Sequence, residues 1–345
     1  MTTTGPTGQV GTAAVLDDRR PATATERIGQ LLRKDGVGAL VVLTVISIFA
    51  VITVPGFGTT GNVQNTLLSA SFPAMIAVGM TFVIISGGID LSVGSVFALG
   101  SVLSTYAVSH GRGFLPALAL TVLVCTVIGL VQGTLIARSG LPPFIMTLAG
   151  LLGVRGLVLS ITDEGQKVYV AGPGSGFVKL GTGSLLQVGY PVWIAVLLFV
   201  IGYVVLERTG LGLSVFAIGG SEDAALLMGL KVRRVKIRLY VLSALCSGAA
   251  GLLQAAYSQS GIPTGGDGYE LQAIAAVVIG GTLLTGGSGS LIGTGCGVLL
   301  LAVVQNVINL GAFGHIDSSA QGVVTGLFLV VVVALQRYVN RTHRR

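Results

Sequence analysis

"IISGGIDLSVGSVFALGS", residues 84–101, sets a single carboxylate, Asp90, between two runs that each read as membrane-spanning. Gly87, Gly88, Ser92, Gly94 and Ser95 surround it, so the stretch carries little side-chain bulk. A carboxylate at the centre of a bilayer costs about 2.5–3.5 kcal/mol on insertion scales, so it must be paired or wet. What Asp90 does depends on what kind of chain surrounds it.

Of the 345 residues, 52% are apolar and 10% charged. Soluble domains carry about 25% charged residues. Apolar runs recur at 37–54, 66–86, 92–108, 114–137, 143–161, 190–206, 239–258, 270–285, 291–310 and 320–336. Runs of about twenty residues cross a ~30 Å hydrocarbon core as helices. The alternating ten-residue strands of a membrane β-barrel are not seen. The expected fold is all-α: a polytopic membrane bundle of about ten transmembrane helices over 37–337. A disordered cytoplasmic tail at 1–36 and a basic cytoplasmic tail at 338–345 flank it. The 53 glycines suit close packing between membrane helices.

Basic residues fix the expected orientation, because cytoplasmic loops carry an excess of them. With both termini inside, cytoplasmic segments hold five in the N-terminal tail, Arg138, six from Arg208 to Arg238 and four at the C-terminus, or 16 of 20. Arg112, Lys167 and Lys179 fall outside, and Arg155 falls within a span. The net charge of +7 follows from these loops. It is no nucleic-acid footprint, because the charges do not gather with aromatics on one soluble face. Cys125, Cys246 and Cys296 lie in apolar runs as small packing residues. His110, His315 and His343 form no metal-ligand pattern. Tyr190 and Trp193 open a span as interfacial anchors.

The longest cytoplasmic loop, 207–238, contains "SEDAALLMGL". Ser221 can cap a short helix there, with Glu222 and Asp223 in its first turn, where the dipole favours anions. Ala224, Ala225, Leu226, Leu227 and Met228 offer an apolar patch, and Gly229 stops the helix. Such a knob suits a groove on a partner protein; the alternative is a linker helix lying on the bilayer. No G-x-x-x-x-G-K-[ST] occurs and no Gly-Lys pair, so the chain has no P-loop to cradle nucleotide phosphates.

Four longer stretches carry a family resemblance: "SGGIDLSVGS" (86–95), "PPFIMTLAGLLGVRGL" (142–157), "AIGGSEDAALLMGLKV" (217–232) and "YELQAIAAVVIGGTLLTGGSGSLIGT" (269–294). In that order they resemble the permease subunits of ATP-binding cassette importers, in the ribose-type sugar branch, across roughly 60–340. Ser221 stands where that family usually has asparagine, and Ala244 where glycine is common. The resemblance implies a pore made by a homodimer or pseudo-dimer of permeases in a bacterial-type inner membrane. It implies a separate ATPase holding the ATP and magnesium, and an external sugar-binding protein. It makes 217–231 the coupling helix, with Gly219, Gly220, Ser221, Glu222, Asp223, Ala224, Ala225, Leu226 and Gly229 against the ATPase. No cofactor, nucleic acid or catalysis is expected in this chain.

Asp90 then has two roles open to it at a cytoplasmic turn, where its cost falls. It caps the next helix, accepting from the amides of Ser92 and Val93 while Gly87 and Gly88 turn the chain. Alternatively it is a pivot beside the pathway, with Gly94, Ser95, Gly100 and Ser101 letting helices pack around a pore. "VVIGGTLLTGGSGSLIG" (277–293) weakly echoes this stretch without the carboxylate, which suggests an internal duplication. Arg155 reads as a buried cation paired with an outer acid (Asp163, Glu164, Asp267, Glu270 or Asp317), or as a polar lining for solute. Gly129/Gly133 and Gly293/Gly297 read as intrachain packing sites. Two alternatives stand beside the sugar importer. An ion-driven secondary transporter would keep midplane acids for coupling, and only Arg155 lies mid-span. An importer permease for branched-chain amino acids or nucleosides has a related architecture.

Overall fold

Out of water, a chain satisfies its backbone within one segment only as a helix, so the apolar runs become helices. The structure, a computed structural model, describes residues 37–311 and Gly326. The expected tail 1–36, the run 320–336 apart from Gly326, and the basic tail 338–345 lie outside the described residues. The helices are α1 Val37–Thr53, α2 Thr60–Ile85, α3 Val93–Ser109, α4 Phe114–Ser139, α5 Pro143–Ile161, α6 Gly176–Thr182, α7 Tyr190–Arg208, α8 Gly210–Gly220, α9 Glu222–Leu227, α10 Val232–Ser258, α11 Tyr269–Ile279 and α12 Leu291–Asn309. A two-stranded hairpin, β1 Ser184–Leu185 with β2 Val188–Gly189, lies between α6 and α7.

Among the described residues, six helices, α2, α4, α5, α7, α10 and α12, are long and apolar enough to cross a membrane. In α2 and α10, 78% and 72% of the apolar window is buried, against 17–22% in α4, α5 and α7. The first pair therefore forms the centre and the others the wall. Glycines permit this density. A Cβ at Gly79 would lie 2.7 Å from the Ser243 Cα, and one at Gly129 would lie 2.6 Å from the Val241 Cα. Gly133 and Gly297 are equally confined within the chain, as expected of intrachain packing, whereas Gly293 is met by the helix end at Gly280.

Helix boundaries depart from the apolar runs where glycine interrupts them. The run 270–285 forms a helix only over α11, 11 residues or about 16 Å, half of a bilayer core. Gly281, Gly286 and Gly287 adopt positive φ, open to glycine at little cost, and the chain stays non-helical over 280–290. Residues 86–92 and 259–268 also run without helix between helices. The second of these descends along α3: Gly261 packs against Val102 and Thr105, and Gly266 against Gly94 and Phe97.

The start of α3 lies inside the bundle. Asp90 meets Ser243, which is eleven residues into α10 and so roughly 16 Å along its axis. The loop backbone finds partners there. The amide of Gly287 donates to the Ile85 carbonyl at 2.8 Å, Ala171 to Gln259 at 2.8 Å and Gly261 to Tyr169 at 2.9 Å. Each such bond removes a penalty of several kcal/mol for a bare peptide group in hydrocarbon.

The packing yields a paired test. A Cβ at Gly251 would strike the Phe97 carbonyl, while nothing lies within 4 Å of Gly153. Gly251→Leu is expected to lose about 1–3 kcal/mol or more and much of its folded yield, with Gly153→Leu near wild type. Thermal unfolding in nanodiscs measures both, and equal melting temperatures would contradict the packing account.

Candidate functional site

Asp90 is 1% exposed. It therefore does not sit at a wet turn, contrary to the expectation from the sequence: loop 86–92 climbs into the bundle and carries it inward. Its Oδ1 accepts from the Ser92 amide at 3.0 Å and from the Ser92 hydroxyl at 2.6 Å. Oδ2 accepts from the Ser243 hydroxyl of α10 at 2.7 Å. Half of the capping expectation holds, since Ser92 donates its amide as foreseen. The residue at the cap of α3 is Ser92, and no side chain caps that helix. Gln132 of α4 lies 3.0 Å from the Ser92 hydroxyl, and Ser95 donates to the Ser92 carbonyl at 2.8 Å. Thr147 of α5 and Tyr240 of α10 reach the neighbouring Ile89 carbonyl. The carboxylate thus ties α3 directly to α10, and its serine and loop partners extend the tie to α4 and α5.

One helical turn further along, Gly94 packs against Gly266 and the Glu270 carboxylate, with no room for a side chain. Arg155 on α5 pairs with Asp267, and its guanidinium also donates to the Pro263 carbonyl at 2.7 Å and Gly265 at 3.3 Å. Of the acids expected as its partner, Asp267 takes the role, while Asp163 pairs with Lys167 and Asp317 lies outside the described residues. Arg155 therefore staples loop 259–268 to α5. The side chain of Asp267 is 66% exposed, so the acid left by Arg155→Ala would stay wet. The variant should cost less than a fully buried pair would, with lost carbonyl bonds as the main term.

At the end of the bundle holding 208–238, α9 forms as the sequence suggests. The Ser221 hydroxyl accepts from the Ala224 amide at 3.3 Å, Glu222 and Asp223 fill the first turn, and Gly229 turns the chain at φ 80°. The apolar patch divides, however. Ala225 is fully buried in the protein's own core, while Leu226, Leu227 and Met228 are 51%, 90% and 68% exposed. Ala225 is thus removed from the outward face, because a six-residue helix resting on α10 must bury one side. Lys236 of α10 holds Glu222 by bonds of 2.6 and 2.7 Å. Behind the knob, Gly219 lies so close to Ile85 and Gly287 that a Cβ would collide with both backbones. The turn at 86–88 therefore meets 285–287, part of the stretch that echoes it in sequence, beneath α8.

A second polar feature escaped the sequence reading. A cavity of about 330 Å³ lies between α2, α11 and α12, with Asn62, Asn65, Gln272, Gln305, Asn306 and Asn309 on its wall. Asn62 and Asn306 exchange amide bonds of 2.9 Å in both directions, clipping α2 to α12. A signal was present. Asn62, Asn65 and Ser69, and likewise Ala302, Gln305, Asn306 and Asn309, recur at helical spacing along one face.

The architecture is that of a multi-pass membrane protein. The chain belongs to the family described as the branched-chain amino acid transport system / permease component, whose model matches residues 62–333. It is similar to a ribose import permease protein of Bacillus subtilis (strain 168), 41% identical across 88% of this chain and 94% of that protein. It is similar as well to the ribose import permease protein of Escherichia coli (strain K12), 37% identical across 87% and 92%. An L-arabinose ABC transporter permease protein of Azospirillum brasilense is 37% identical across 94% and 93%. No solved structure matches. Permeases of such importers work with a separate ATPase and a substrate-binding protein.

Removal of the Asp90 carboxylate tests its tie. Asp90→Ala orphans the hydroxyl of Ser243 and the amide of Ser92, at about 1–3 kcal/mol for each buried group left unpaired. Asp90→Asn keeps one acceptor and should lose less. Melting temperatures of the two variants in nanodiscs decide it, and equal losses would count against the hydrogen-bond account.

Proposed function

We propose that this chain is the permease subunit that carries a ribose-like monosaccharide across a bacterial inner membrane. On this reading the sugar comes from an external binding protein and the work from an ATPase seated on α9. The observation that carries the sugar assignment is coverage: proteins named for ribose and arabinose import align with nearly the whole chain. Two copies of the permease, or this one with a second related chain, would form the pore within the lipid. Ten segments would enter the membrane with both termini in the cytoplasm, and the 16-of-20 distribution of basic residues supports that orientation. Arg155 is engaged with Asp267 and two carbonyls. It is therefore poorly suited to carry the proton or sodium coupling of a secondary transporter.

Two experiments test this assignment. Single cysteines at Thr182 and Ser221, in a background without Cys125, Cys246 and Cys296, should differ towards an impermeant thiol reagent on intact cells. Thr182→Cys should label and Ser221→Cys should not, and outside labelling of Ser221→Cys removes the orientation. Docking is tested at the outward face of α9. Leu227→Glu should leave folding intact, because the side chain is 90% exposed. It should weaken ATPase copurification by roughly 2–5 kcal/mol if the charge is desolvated without a partner. Ala225→Glu should fail at folding instead, since Ala225 has no exposed surface. Full ATPase retention by Leu227→Glu would show that α9 is a linker lying on lipid.

A further inference from the structure

Four carboxamides face one cavity and, among the described residues, make no side-chain hydrogen bond. Asn65 on α2, Gln272 on α11, and Gln305 and Asn309 on α12 line the space beside the Asn62–Asn306 clip. Gln272 and Gln305 are half-buried, Asn65 and Asn309 exposed. Facing hydrocarbon, each amide would cost about 1–3 kcal/mol or more for want of partners. This face is therefore unsuited to lipid tails and suited to water or a polar ligand.

The chemistry of the wall narrows the ligand. Among the described residues, no charged side chain lines the cavity. A zwitterionic amino acid or a nucleotide would bring charges with nothing opposite them, which a low-dielectric site penalises heavily. Carboxamides both donate and accept, as sugar hydroxyls do. Pro73, also on the wall, lacks an N–H and so leaves the Ser69 carbonyl without its helical donor, one more acceptor at the edge of the cavity. Ala70, Ala273, Ala276 and Leu301 supply apolar surface for the C–H faces of a ring. The volume of about 330 Å³ falls at the small end of the ~300–1,000 Å³ typical of small-molecule sites.

We propose that the cavity between α2, α11 and α12 is a binding station for a neutral sugar of pentose or hexose size, held by Asn65, Gln272, Gln305 and Asn309. The permease then applies a selection of its own after the sugar is delivered. This inference rests on the sugar-importer assignment above, and its test separates the two.

The complete transporter, with its ATPase and binding protein, is reconstituted in proteoliposomes and given D-ribose, L-arabinose or L-leucine. Wild type should import a sugar and not leucine; import of leucine alone overturns the sugar assignment and the cavity with it. The double variant Gln272→Leu/Gln305→Leu should import sugar at least tenfold more slowly while keeping its ATPase. Sugar import by wild type with an unchanged rate and ribose-to-arabinose ratio in the double variant overturns the cavity alone. A second arm covers a double variant that fails to assemble. Asn65→Cys, with Cys125, Cys246 and Cys296 replaced by alanine, is labelled by a small polar thiol reagent. Saturating D-ribose should slow labelling at least threefold, and L-leucine should not. Absence of protection in a transporter that imports ribose overturns the proposal. So does a disulfide from Asn65→Cys to a second copy of the permease, which would make this face a contact between subunits.

Discussion

Backbone that leaves the helix inside a membrane protein must find hydrogen-bond partners from somewhere other than its own segment. That constraint governs the whole bundle. Three stretches, 86–92, 259–268 and 280–290, leave the helix between packed elements. Each is held by a bond to another element: Asp90 to Ser243, Gly261 to Tyr169, Gly287 to Ile85. The glycines that seem excessive in the sequence serve these approaches. Several of them sit where a single Cβ would collide with a neighbouring carbonyl or Cα.

The two echoing turns show how one need has two solutions. Both follow a helix with a glycine pair, Gly87 and Gly88 in the first and Gly280 and Gly281 in the second, and the first turn touches the second stretch further on, at Gly286. The first then rises towards α3 and requires a buried carboxylate to gather Ser92 and Ser243. In the second, Ser290 caps α12 through the Gly293 amide at 3.0 Å and no carboxylate takes part. The carboxylate therefore belongs to the depth at which α3 starts, not to the turn itself. This explains why the second copy manages without one.

Six of the ten expected spans stand among the described residues as helices long and apolar enough to cross a membrane, because about twenty apolar residues form a large signal, and α10 extends into the basic residues before its run. The knob α9 was legible because Ser221, Glu222, Asp223 and Gly229 act within one short stretch, 221–229. Its buried face was not, since six residues give too little periodicity to show which side Ala225 takes. The half-length of α11 was hidden as well: the expected run 270–285 read on past Ile279 through Leu283 and Leu284, while its glycines follow another backbone. The amide cavity was hidden by distance. Its residues come from positions 62 to 310, and each polar side chain is a minority within its own apolar run. Charges such as Asp90 and Arg155 drew the site assignment instead, and both are committed to holding loops in place.

That commitment separates the roles of charge and neutral polarity in the molecule. The charged groups within the bundle are tied to backbone or serine partners and fix the positions of 86–92 and 259–268. Among the described residues, the free donors and acceptors include the uncharged amides between α2, α11 and α12. α2 runs from that cavity to the turn at Ile85–Gly87, where its backbone touches Gly219 and Gly287. The contact at Gly219 is therefore backbone against backbone, and beside it Phe82 and Ile85 of α2 share one apolar cluster with Val215, Ile218 and Ala225. A shift of α8 and α9 must move the end of α2, whose other half carries Asn62, Asn65 and Ser69. Because a helix bends little over 26 residues unless a proline breaks its ladder, Pro73 is the place in α2 where the two halves can part company.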